Sequence, residues 1–265
     1  MAKRTVITFA LRLLIAVALA SSVAYPAEEV DEIVEKNYPL DPTARFTLQN
    51  DDGSVLIYGA DIAEMKLRAT KRAYSQERLN KIDINVAVRP DEISVKTGYP
   101  PKPKWGLFDR SGTVDYVIVL PWRCQVQQVE LGNGDIVIEG MRGNEVHARV
   151  NNGRLFGRNC FTDLHASIGN GEVDVAYEWW ETHQIGLETN VAAGSTFISI
   201  PRDAQFRLLA TTANGNIFSD FSSLEDQKQR GRSKVNLLVG DVPNADMQIH
   251  AVDGSIKIKE SYNHD

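Results

Sequence analysis

Residues 131–177, LGNGDIVIEGMRGNEVHARVNNGRLFGRNCFTDLHASIGNGEVDVAY, decide the reading of the fold. One phrase occurs in them three times: a hydrophobic residue, Asn-Gly, then alternating polar and apolar positions. The step from Gly134 to Gly153 is 19 residues, and the next, to Gly171, is 18. Asn-Gly tolerates φ > 0 and turns the chain tightly. After the turn Ile136 and Ile138 share one side while Asp135, Val137 and Glu139 share the other, the period of 2 of a half-buried strand.

The phrase extends outward in both directions. It appears as DDGSVLIYG around Gly53, TANGNIFSDF around Gly215 and AVDGSIKIKE around Gly254, and in degenerate form as AAGSTFISIP around Gly194. Gly215 and Gly254 lie 39 residues apart, two such steps. Units of 18–20 residues that cannot bury an apolar face alone, yet can stack, describe an all-β parallel β-solenoid (β-helix). The competing reading is an antiparallel meander or sandwich, because Asn-Gly between alternating segments is also a hairpin signal. Near-constant spacing in one orientation, with two short strands per unit, favours the solenoid. Its register would put Asp135, Arg154 and Glu172 in one outward column of alternating charge, a mildly stabilising arrangement. The charged last unit, with Lys257, Lys259 and Glu260, reads as a terminal cap.

The chain has 265 residues, 43% hydrophobic and 24% charged, with net charge −6. That balance argues against nucleic acid, which needs clustered Lys and Arg. Lys3, Arg4 and Arg12 flank or interrupt an apolar run from Val6 to Ala20, and Ser22-Val23-Ala24 offers a cleavage site. The expectation is a signal peptide over 1–24, cut after Ala24 or Ala27, hence export to the periplasm or cell surface with no membrane span in the mature chain. The acidic, Pro-punctuated 25–42 reads as a linker, and 43–265 as one β domain whose N-terminal β portion joins the same stack. Surface loops are expected at 99–113 and 222–233, where Pro-rich and charged stretches interrupt the pattern.

Several residues are candidates for chemistry. Asp135, Glu139, Glu172 and Asp174 project outward, but Arg154 and Arg158 interleave with them, which favours ion pairs over the raised-pKa acid of a glycosidase. His147 and His165 each lie six residues before a repeat glycine and would stack on adjacent units. A zinc site needs three or four ligands, so the pair is only a metal candidate, and no cofactor is expected. Cys124 and Cys160 fall two units apart, roughly 9–10 Å at strand spacing, beyond the reach of a disulfide. Trp105, Trp179, Trp180, Phe156 and Phe218 form a candidate aromatic surface for sugars or proteins. The glycines at 53, 134, 153, 171, 215 and 254 are structural turn residues. No Ser-His-Asp order, Walker loop, dinucleotide fingerprint or HExxH is present.

The order FTLQNDDGSVLIYG, MKLRATKRA, DEISVKTGYP, a strand ending in IVLP, then serial GNGDIVIEG-like phrases resembles the β-strand-repeat domains of unknown function known as putative adhesins in bacterial exported proteins. The resemblance spans residues 43–260. It implies a parallel β-solenoid at the bacterial envelope and carries no catalytic residues. The function expected is a non-catalytic, adhesin-like surface that contacts an envelope protein or glycan. The alternative is a polysaccharide-active enzyme on a β-helix scaffold.

Overall fold

A computed structural model describes residues 29–101, 112–221 and 234–261. The described residues are all-β, with fourteen strands in one mixed sheet and a single helical turn, α1 (Gln76–Leu79). Among the described residues no helix is long and apolar enough to cross a membrane. The expected signal peptide, the loop residues 102–111 with Trp105, and the segment 222–233 lie outside the described residues.

Six long strands among the described residues carry the repeat: β2 (Arg45–Ala60), β7 (Gln125–Glu139), β8 (Glu145–Arg158), β9 (Asp163–Ala176), β10 (Ile185–Pro201) and β14 (Ala245–Ser261). Each bends at its glycine. In β8, Val146, Ala148 and Val150 are buried before the bend, and Leu155 is buried after it. The buried parity thus switches from even to odd across Asn151-Asn152-Gly153. Every such strand is therefore two arms meeting at a corner. The first arms pair in one layer and the second arms in another, with the apolar side chains between them.

The register is parallel, and Asn133, Asn152 and Asn170 align beside Gly134, Gly153 and Gly171. Gly153 has φ 141°, and a Cβ there would sit 1.8 Å from the Gly134 carbonyl oxygen. Only glycine supplies both the turn and the close approach of stacked backbones. Asn side chains run along this edge: Asn152 Nδ2 donates to Asn133 Oδ1 at 3.0 Å, and Asn133 Nδ2 donates to Asp52 Oδ1 at 2.7 Å. They tie neighbouring corners together.

Beyond β10 the spatial order departs from the sequence order. The next partner of β10 is β14 (Ala245–Ser261), which aligns Gly254 with Gly194. Only then comes β11 (Phe206–Asn214), paired in parallel with the first arm of β14, while β12 (Ile217–Ser219) pairs with its second arm. Gly215 therefore stacks on Gly254 rather than on Gly194. Order along the chain and order in the stack therefore differ here, and the reading of the last unit as a terminal cap is corrected. Lys257 and Lys259 stand inside the stack, and the terminal strand of the first layer is β13 (Lys234–Val239), antiparallel to β11. A repeat offset is unchanged when two units are exchanged, so spacing alone does not encode the order.

The opposite end is antiparallel as well. The second layer continues from β2 to β6 (Thr113–Pro121), β3 (Glu64–Ala73) and β1 (Val30–Pro39); the first continues to β5 (Glu92–Gly98) and β4 (Asp83–Arg89). Residues 30–39, expected as linker, are thus a strand. Both faces of β1 are largely exposed, which is why no alternation marks it. Lys71 reaches across to Glu32 at 2.7 Å and helps to hold it.

The core is one continuous cluster between the layers, built mainly of Val, Ile and Leu, such as Ile57, Ile136, Leu155, Val173, Ile198 and Ile256. Each such side chain contributes about 1.5–3 kcal/mol on burial. Fully buried Phe46, Phe161, Phe206, Tyr116 and Tyr177 widen the space between the arms.

Candidate binding faces

On the outer face of the second arms the register builds columns. Arg154 spans back to Asp135, with contacts of 3.1 and 2.5 Å, in the charge-alternating column that continues to Glu172. The next column reads Leu56, Val137, Phe156, Asp174, Phe197, Lys257, Phe218. Phe156 is half-buried, with the Arg154 guanidinium 5.3 Å from its ring centroid. Phe197, absent from the sequence candidates, holds the Lys257 ammonium at 5.0 Å. Phe218 is 46% exposed. On this face Arg154 is ion-paired and two rings carry cations, while Arg158, in register with Glu139, forms no ion pair among the described residues.

A second cluster fills the turn 177–184 between β9 and β10. Trp179 is exposed, while Trp180 packs edge-on against Tyr177 and donates from Nε1 to Asn244 at 3.0 Å. Consecutive tryptophans thus divide between solvent and core. Glu181 accepts from Arg142 at 2.6 Å and from Trp179 at 3.1 Å, and lies 3.3 Å from His183 Nδ1. Burial disfavours its charge, but the Arg142 and Trp179 hydrogen bonds outweigh this and hold the carboxyl below its ordinary range. The Arg142 guanidinium also lies 5.3 Å from the Phe161 ring centroid and 5.5 Å from that of Trp122. The cluster is a braced corner, and an acid held ionised is the opposite of a general acid.

The first arms carry the histidines. His147 and His165 stack with centroids 4.4 Å apart and planes 6° apart. Each faces its own carboxylate: His147 Nε2 lies 3.2 Å from Glu145, and His165 Nδ1 lies 3.1 Å from Glu188. Hydrogen bonds from Asn190 and His165 hold Glu188 below its ordinary range. Among the described residues no three His, Cys, Asp or Glu side chains converge as a metal group. His183 lies away from the pair, in the braced corner.

Four residues before each repeat glycine the outward positions form another row, Glu130, Arg149, Ser167, Asn190, His250 and Thr211. It borders a shallow groove, with Arg149 at its centre. None of these was a sequence candidate, although the constant offset from glycine is legible once the register is accepted. Two positions further on, Gly132, Asn151, Gly169, Ala192 and Val252 also line it.

Cys124 and Cys160 are fully buried, free thiols. Cys124 Sγ donates to Ala44 O at 3.0 Å and Cys160 Sγ to Ile138 O at 3.3 Å. Burial pushes the thiols up to about 12 and about 11 respectively, which makes them poor nucleophiles.

With corners, layers and faces in place, comparison with known proteins becomes informative. A putative cell adhesion protein from Clostridium sporogenes, 14% identical, superposes with a TM-score of 0.52, covering 87% of this chain and 100% of its own. A putative adhesin from Bacteroides fragilis, 9% identical, gives a TM-score of 0.34 over 86% of this chain and 97% of its own. Among curated proteins none matches the sequence. The first likeness is one of fold. Residues 36–259, nearly the whole two-layered stack from the end of β1 into β14, match the model of the Toastrack DUF4097 family, and to that family the chain belongs.

Proposed function

We propose that this is an exported, non-catalytic envelope protein that uses the outer faces of its stack to contact a protein or a glycan. In this reading the parallel units are coils of a short β-solenoid. The four residues 159–162 return the chain from the end of β8 to the start of β9, one strand spacing from where β8 began. The observation that carries the functional reading is the rigid columnar register: it fixes rows of outward side chains one strand apart on flat faces, a geometry suited to extended surfaces. Two outward carboxylates in its most polar regions, Glu181 and Glu188, are held ionised by donors, which supports binding over acid catalysis. The family likeness and the apolar, Arg-flanked N-terminus support an envelope location, with cleavage after Ala24 or Ala27.

The test incubates the purified protein with a solubilised envelope fraction and, in parallel, with a glycan array. The expected result is saturable capture of a component with no new reducing ends. Release of reducing ends at a steady rate would instead establish the polysaccharide-active alternative.

A further inference from the structure

The outer face of the first arms places an exposed arginine, Arg149, in a groove. Eight described arginines, 45, 68, 72, 89, 142, 154, 202 and 207, hold a carboxylate within ion-pair distance. Arg149, like Arg78, Arg123 and Arg158, holds none among the described residues, and of these four it is the one that lines the groove, although its register partner on β7 is Glu130. Instead Glu130 accepts from Gln128 at 2.8 Å. The exposed guanidinium stands at the middle of the groove, where three contiguous stretches of it meet. Along the row beside it follow Ser167, Asn190 and His250, one strand apart. These polar groups stand at a spacing of about 4.8 Å.

We propose that this groove binds a carboxylate-bearing glycan, with Arg149 receiving a uronate carboxylate and Ser167, Asn190 and His250 receiving neighbouring hydroxyls. The proposal deepens the functional reading above and rests on it. A planar guanidinium fork matches a carboxylate bidentately. A protein partner would need a central aromatic or aliphatic anchor, whereas Arg149 stands at the centre of this groove and its exposed aliphatic side chain, Val252, lies on β14 towards one end. Glu130 and Glu188 border the same face, so its charge density suits a polymer with one carboxylate per sugar better than a polysulfated one.

The experiment measures binding of the purified protein to polygalacturonate, dextran sulfate, unmodified dextran and poly-glutamate by biolayer interferometry. The expected result is binding to polygalacturonate in preference to the other three. Arg149→Ala should weaken it about ten- to a hundred-fold, as loss of a charge-assisted hydrogen-bonded pair does. Arg149→Lys should recover only part, because the fork is gone, and Arg154→Ala on the other face should leave affinity unchanged. Unchanged thermal unfolding of each variant by circular dichroism separates lost contact from lost fold. Equal binding by Arg149→Ala, or equal binding to dextran, dextran sulfate or poly-glutamate, overturns the assignment. No binding to polygalacturonate while envelope capture persists overturns this inference alone; loss of both removes the functional reading as well.

Discussion

The outer faces of the two arms share one backbone register, yet they are finished differently. On the second arms Arg154 is clamped by Asp135, and Phe156 and Phe197 carry cations against their rings. On the first arms Arg149 is without a carboxylate among the described residues, and a groove runs beside it past Gly169, Ala192 and Val252. Both arginines lie on β8, one on either side of Gly153. A stack of identical corners therefore does not dictate identical surfaces: it supplies rows, and the residue at each row position decides whether the row satisfies itself or stays open to a ligand.

The largest effect should come from removing what both faces share. Gly153→Ala places a Cβ against the Gly134 carbonyl at a φ of 141°, combining backbone strain with a steric clash. A loss of about 3–5 kcal/mol is expected in denaturant unfolding, with both faces disrupted together. A cost below about 1 kcal/mol would mean that the corners are not locked.

A smaller effect is expected at the braced corner that joins the two arms. Glu181→Gln should cost about 1–2 kcal/mol at neutral pH through the weakened Arg142 pair. Because the folded-state pKa of Glu181 is depressed, its contribution is fully present above the ordinary Glu value near 4.3 and is lost as pH falls through the lower folded value. Urea titrations at pH 7 and pH 3.5 should show the gap between wild type and Glu181→Gln narrowing at acid pH; a gap that widens contradicts the assignment.

The smallest effect compares the two arginines directly. Arg154→Ala removes an exposed pair and should cost less than about 1 kcal/mol, falling further in high salt. Arg149→Ala breaks no pair and should leave stability unchanged within about 0.5 kcal/mol. Equal, salt-sensitive losses in both variants would erase the distinction between the faces.

Much of this architecture was legible before any coordinates. The alignment of Gly134, Gly153 and Gly171, the Asp135–Arg154 column and the stacked His147–His165 pair all follow from a constant offset within contiguous units. The insertion of β14 between β10 and β11 was not legible, because every unit presents the same corner and the same alternation to any neighbour. β1 was missed for the opposite reason: with both faces exposed it lacks the period of 2, and its acidic composition suggests a linker. Of the candidate aromatics, Phe156, Phe218 and Trp179 are at least partly open, while Trp180 is fastened to Asn244. Arg149 went unnoticed because an exposed arginine is ordinary in sequence. It becomes distinctive only when it is found, among the described residues, without a carboxylate at the centre of a groove.

Site-specific protection tests the open-face account most directly. Both native cysteines are fully buried, so Ser167→Cys on the first arms and Asp174→Cys on the second can be labelled with maleimide with and without saturating envelope fraction. The expected result is slowed labelling at position 167 and an unchanged rate at 174. Protection at 174 alone, or equal rates at both positions with and without the fraction, would contradict it.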